Sequence, residues 1–176
     1  MKKHILAVIL ILSLIVTISG CTSQKQNNYS SNGISFNYPN NWKEITNVTT
    51  QNAIVAVGDP DSADQQTKNV NTLVVVQKVA LPSGSTLKQF YDSTYAQFAA
   101  QDPSFKTISD TTTTVDGTTA YINTHTVNVN GVQKEEKAVW LEKNGSVYVI
   151  LCGTLPPIFD SQQANFNMII NSFKIQ

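Results

Sequence analysis

Apolar residues fill positions 5–18, broken only by Ser13 and Thr17. A block of about 14 residues is shorter than the roughly 20 needed to cross a bilayer core and matches the hydrophobic region of a secretory leader. Residues 22–32 then carry no aliphatic side chain. Such a stretch has too little apolar surface to offset the entropy of ordering, which predicts a flexible polar tether. From Gly33 the pattern changes. Ile34, Phe36 and Tyr38 alternate with polar residues at the period of a half-buried strand. Pro39 ends that strand, and Trp42 is expected to fold back and plug one end of the core. Residues 53–57 read as a second strand, closed by Gly58-Asp59-Pro60. Residues 72–80 read as a third, apolar without interruption over 73–76 and so buried on both faces.

Pro82-Ser83-Gly84-Ser85 breaks the chain, with Ser85 placed to cap a helix. Leu87, Phe90, Tyr91, Phe98 and Ala99 recur on one helical stripe. Asp102-Pro103 stops the helix, because the residue before proline is driven out of α geometry. Four strands follow, over 107–115, 118–128, 132–143 and 146–154. They are joined by Asp116-Gly117, Asn130-Gly131 and Asn144-Gly145, the strongest short hairpin signals. Residues 147–152 are apolar on both faces and predict a central strand. A second helix is expected from Phe159 or Asp160 to Asn171, with Phe166, Ile169, Ile170 and Phe173 as its buried stripe. Residues 173–175 would add a short last strand. The pattern is that of one α+β domain over residues 33–176, an antiparallel β-sheet flanked by helices, without internal repeats.

The leader has its own chemistry. Lys2 and Lys3 precede the apolar block, and Ile18-Ser19-Gly20-Cys21 follows it. These residues resemble a lipobox, where the signal peptidase cuts before a lipid-modified cysteine. Residues 1–20 are then a signal peptide and 21–32 the lipidated Cys21 with its tether. Two acyl chains on the Cys21 thiol give stable anchoring where one does not. The competing reading is an ordinary secretory signal or an uncleaved anchor; Ile18 fits the small residue of an ordinary cut site poorly. The expected location is the cell membrane, lipid-anchored, on the extracytoplasmic side.

The run from Gly33 to Trp42, the segment Asp116-Gly-Thr-Thr-Ala-Tyr121 and the ending Ser172-Phe-Lys-Ile resemble the PsbP-like proteins, particularly the PsbP-related lipoproteins of archaea and bacteria. The resemblance covers roughly residues 33–175. It implies an α/β/α sandwich around an antiparallel sheet, and a role in binding: proteins of this fold dock on a membrane complex or bind a small GTPase. It brings no catalytic residues. The metal- and chloride-related roles of photosynthetic members find no matching motif here.

Composition narrows the partners. All 12 basic residues are Lys, against 12 acidic ones. Without arginine there is no bidentate grip on phosphate, and the charge balance argues against nucleic acid. If Cys21 is acylated, Cys152 is the only thiol left and no internal disulfide can form. Asn28, Asn47 and Asn144 fit the glycosylation sequon, a short pattern that chance often supplies.

The chemically capable residues are scattered. His125 is the single histidine after the leader and sits between threonines on a strand, which suits a packed or surface residue better than a ligand. Cys152 lies in the most apolar strand, where burial makes a thiol inert. Asp59, Asp61 and Asp64 share a loop but lack the glycine and distal glutamate of a calcium loop; a solvated acidic loop is expected. Lys134, Glu135, Glu136 and Lys137 read as the charged protection of an edge strand. Ser83 and Ser85 have no base placed beside them, and Thr111–Thr114 suits a polar strand. Tyr38, Trp42, Tyr121 and Trp140 are the aromatic candidates for a binding surface, with core packing the expected role of Tyr38, Trp42 and Trp140. No catalytic residue, cofactor or metal is expected. The sequence therefore points to a surface-anchored, non-enzymatic binding or accessory module for a membrane-associated complex or extracellular ligand. The alternative is a small-molecule or lipid carrier, marked by a void between sheet and helix lined by Phe90, Tyr91 and Phe98. A hydrolase using Ser or Cys152 is the third reading.

Overall fold

Three left-handed residue pairs set the architecture. Asp116 and Gly117 (φ 50° and 73°), Asn130 and Gly131 (53° and 83°) and Asn144 and Gly145 (55° and 72°) each form the tight turn of a hairpin. They join β6 (Lys106–Val115), β7 (Thr118–Val129), β8 (Val132–Lys143) and β9 (Ser146–Thr154). The computed structural model describes residues 25–46 and 48–176; the leader, Cys21 and Asn47 lie outside the described residues. β3 (Lys43–Glu44), β4 (Ala53–Gly58) and β5 (Leu73–Ala80) complete an antiparallel sheet of seven strands in the order β3-β4-β5-β9-β8-β7-β6. β9 is the middle strand, as its apolar run predicts.

Alternation sends each strand's side chains to two different layers. On one face lies α1 (Leu87–Gln101), packed through Tyr91 and Tyr95 onto Trp140, Ala138 and Val149. On the other lie α2 (Gln163–Ser172) and a second sheet of three strands, β1 (Gln26–Ser31), β2 (Ile34–Pro39) and β10 (Lys174–Ile175), in the order β1-β2-β10. Between them Ile34, Phe36, Trp42, Val74, Val76, Leu141, Ile150, Phe166, Ile169 and Phe173 form the main core. The expected helix–sheet–helix sandwich is thus realised in part: helices lie on both faces, but the second layer is shared with a small sheet.

That small sheet corrects the tether. Residues 26–31 are a strand, fully registered against β2 from Gln26↔Pro39 to Ser31↔Ile34. Tyr29 explains it. Its ring is buried and stacked on Phe36 at 5.1 Å, and its hydroxyl accepts from Asn32 Nδ2 at 2.8 Å. One aromatic anchor supplies apolar burial that a count of aliphatic residues misses. Other boundaries move less. Thr86, not Ser85, caps α1, and α2 begins at Gln163 after two 3-10 turns. The charged segment of β8 lies inside the sheet, not at its edge; β3 and β6 are the edges. Interior charges are tolerated because they find partners: Lys134 Nζ donates to Asn71 Oδ1 at 2.5 Å, Lys137 to Gln163 Oε1, and Glu136 faces His125.

Asp116 ties the C-terminus down. Its carboxylate accepts from Lys143 Nζ at 2.9 Å and Ile175 N at 3.1 Å, and lies 3.3 Å from Lys174 Nζ. The Lys143 bond, then the Ile175 bond, holds its carboxyl down to about 2. A depressed folded-state carboxyl stabilises the fold above the unfolded value and stops doing so as pH falls through the folded one. Asp116→Asn, which suits the left-handed turn, is therefore expected to lower the melting temperature at pH 7. The difference from the parent should vanish between about pH 4 and 2.

Gly58 marks the tightest point of β4. A Cβ there would meet Ile45 Cδ1 at 2.7 Å and the Thr72 carbonyl oxygen at 2.9 Å. Backbone cannot yield as a side chain does, so Gly58→Ala is expected to cost about 1–3 kcal/mol in denaturant unfolding. Gly153→Ala, whose Cβ would meet only Glu136 at 3.5 Å, should be tolerated.

Candidate functional site

α1 starts on a capping box. Thr86 Oγ1 accepts from Gln89 N at 3.2 Å, and Gln89 Oε1 accepts from Thr86 N at 2.9 Å. The helix then crosses the sheet on Tyr91 and Tyr95, the two side chains it buries. Phe98, expected on the buried stripe, is 46% exposed, and Ala99 is exposed too. A cleft of about 530 Å³ lies between α1 and the sheet.

The cleft follows from side-chain size. Glu136, Ala138 and Trp140 project from β8 toward α1, and the small Ala138 leaves a dip between two large neighbours. Val79 of β5, Val149 and Leu151 of β9, and Val127 of β7 extend that apolar floor. Phe90, Tyr95 and Phe98 form the helix wall, and Phe105 continues it beside Phe98. The wall is rigid. Trp140 Nε1 donates to Tyr95 Oη at 3.0 Å, and Phe90 packs edge-on to Trp140 at 5.8 Å. Burial pushes the Tyr95 hydroxyl up, so it stays protonated.

One end of the cleft is polar. His125, 4% exposed, has Nδ1 2.9 Å from Asn123 Oδ1 and Nε2 3.3 Å from Glu136 Oε2. Its ring lies 4.8 Å from that of Phe105. Each ring nitrogen has a polar neighbour, which orients the ring at this end of the cleft. An apolar trough with a few fixed polar groups at one end suits a ligand with an apolar body.

Of the three aromatics whose lining of a void would mark a carrier, Phe90 and Phe98 line this cleft and Tyr91 does not. Tyr91 lies below, against Tyr121 at 5.4 Å. Its hydroxyl is buried beside Asp110 and Asn123 without a hydrogen bond of ordinary geometry, and burial raises its pKa. Trp140 lines the cleft while remaining 7% exposed, whereas Tyr38 and Trp42 belong to the main core on the opposite side. Tyr121 is half-buried under Lys88. The sequence reading missed Tyr95, Phe105, Val127, Ala138 and Leu151. The legible signal was the single small residue among bulky neighbours on β8.

The remaining candidates stand apart. Cys152 faces the main core, fully buried, and burial pushes its thiol up to about 12. The loop aspartates shape turns. Asp59 Oδ1 accepts from Asp61 N at 3.1 Å, and Asp64 Oδ1 accepts from Thr67 N at 2.7 Å and Gln66 N at 3.0 Å. These bonds, that of Thr67 first, lower the Asp64 carboxyl. Among the described residues no three His, Cys, Asp or Glu side chains gather as a metal site would require. Asn28 is exposed on β1 and donates to Asn37 Oδ1 at 2.9 Å; Asn144 is exposed in its turn. Ser83 and Ser85 lie in the turn before α1, where Ser85 N donates to Pro82 O.

Solved structures share this architecture. Cyanobacterial PsbP (CyanoP) from Synechocystis superposes with a TM-score of 0.62 at 18% identity, over 92% of this chain and 99% of that one. LpqN of Mycobacterium tuberculosis, described as involved in cell envelope biogenesis, gives 0.57 at 13% over 86% and 91%. The Ran-binding protein Mog1p of Saccharomyces cerevisiae gives 0.56 at 11% over 87% and 96%. At these identities the likeness concerns the fold. No curated protein matches the sequence. A family model described as PsbP-like protein matches residues 5–175, almost the whole chain. The chain belongs to the PsbP-like family.

Proposed function

We propose that this protein is a non-enzymatic binding module, anchored through Cys21 on the extracytoplasmic side of the membrane, and that its binding site is the cleft under α1. The cleft carries the reading: its volume of about 530 Å³ suits a small ligand, and its walls are aliphatic and aromatic. The ligand is a small molecule or lipid with an apolar body, held by the hydrophobic effect and oriented by the Glu136–His125 end. The similarity to Mog1p, a Ran-binding protein, and to LpqN of the cell envelope supports a binding or accessory role more generally. The buried, thiol-protonated Cys152, packed in the main core on the side of the sheet away from His125 and the cleft, weighs against the cysteine form of the hydrolase reading.

An apolar dye such as N-phenyl-naphthylamine tests the site. A ligand present at a hundredfold its dissociation constant adds about 2.7 kcal/mol to the folded state. Dye fluorescence should rise on mixing with the full chain, and the melting temperature should rise with dye concentration. Unchanged melting at saturating dye would reject the cleft as a ligand site.

A further inference from the structure

The described residues expose five large hydrophobic side chains: Phe98, Ile108, Val129, Val132 and Ile158, each between 38% and 56% accessible. Strand register places them all toward one end of the molecule. Val129 and Val132 flank the β7–β8 turn, and Phe98 stands 6.0 Å from Phe105, just before β6 begins. Ile108 lies level with His125, and Ile158 follows the end of β9. The Asp116 and Asn144 turns close the opposite end.

The chain enters the domain at the same end. Across the sheet, Glu136 pairs with Gly153, Leu73 with Gly153 and Gly58, and Gly58 with Lys43. Lys43 lies three residues beyond Asn40, whose N–H donates to Lys25 O at 3.2 Å. Only Thr22, Ser23 and Gln24 separate Cys21 from Lys25. At about 3.5 Å per residue, Cys21 lies no more than roughly 14 Å from Lys25. With β1 formed, the anchor has far less slack than an eleven-residue tether would give.

We propose that this end of the domain lies against the lipid surface, with Phe98, Val129 and Val132 in contact with the bilayer, and that the cleft opens there and takes up a hydrocarbon chain of a membrane lipid. Phe98 and Val129 belong both to the exposed rim and to the cleft wall, so an apolar chain passes from one to the other without crossing water. Charge does not drive the contact. Lys25, Lys106 and Lys134 share this end with Asp59, Asp61 and Asp64, so apolar burial is the attraction. The inference rests on the Cys21 anchor of the preceding reading and supplies the source of the ligand.

The test uses the full lipidated chain in protein-free phosphatidylcholine vesicles, with nitroxide labels at Val132→Cys, Phe98→Cys and, as the distal reference, Thr114→Cys. Cys152 is fully buried and escapes labelling. The Val132 and Phe98 labels should be several-fold more accessible to lipid-soluble oxygen, and several-fold less to an aqueous nickel complex, than the Thr114 label. Chain that floats with vesicles while all three labels stay aqueous overturns the proposal and leaves the anchor standing. Chain that does not float overturns the anchor, and the proposal with it. Labels that are aqueous in vesicles but shielded in native membranes assign this end to a protein partner and likewise overturn it.

Discussion

Replacing Phe166 with alanine is expected to cost about 3–5 kcal/mol of unfolding free energy, the largest loss from any single substitution considered. Phe166 sits on α2, fully buried. Its ring meets Trp42 edge-on at 6.3 Å and Phe159 at 5.9 Å. It therefore joins three segments distant in sequence: the turn after β2, the 3-10 turns after β9, and α2. Deleting it removes the transfer energy of a phenyl group and leaves a cavity that a close-packed sandwich closes poorly. Trp42 would suffer too, because its indole N–H is already buried without a hydrogen-bond partner and survives through packing alone. A domain of this size carries only about 5–15 kcal/mol in total. Denaturant melts should show Phe166→Ala near the limit of folding. A loss below about 1 kcal/mol would mean that α2 is not part of the cooperative core.

Leu151→Trp should abolish cleft binding while leaving the fold intact. Leu151 is half-buried on the floor beside Ala138, with open space above it. An indole there fills the volume a ligand would occupy and strains little, since the site is not close-packed. Dye affinity is expected to fall at least about tenfold, equivalent to about 1.4 kcal/mol. Thr112→Trp, on the exposed edge strand β6, adds the same ring elsewhere and should bind dye as the parent does. Equal dye binding by the parent and Leu151→Trp would place the dye outside the cleft.

Much of this fold is readable along the chain because its signals are local. The glycine turns after Asp116, Asn130 and Asn144 demand positive φ and fix three hairpins. Asp102-Pro103 ends α1, and the double-sided apolarity of residues 147–152 marks the middle strand. What the sequence hid depends on distant partners. β1 is polar and becomes a strand only because Tyr29 finds Phe36. Lys134 and Glu136 suggest an edge until Asn71 and His125 are known to pair with them. The cleft is harder still, since a void is a property of no residue. It arises between α1 and the sheet where Ala138 fails to fill the gap, and Phe98 reads as a core residue in any helical projection.

The two tryptophans offer the most direct test of the central claim, because they lie on opposite sides of the large sheet. Trp140 lines the cleft with its N–H bonded to Tyr95, and Trp42 lies in the main core. Their two indole N–H resonances, assigned with Trp140→Phe, can be followed in a proton–nitrogen correlation spectrum while an apolar ligand is added. A saturable shift of the Trp140 signal with the Trp42 signal unmoved is the predicted result. Two stationary signals at ligand saturation, or a shift at Trp42 alone, would contradict the account.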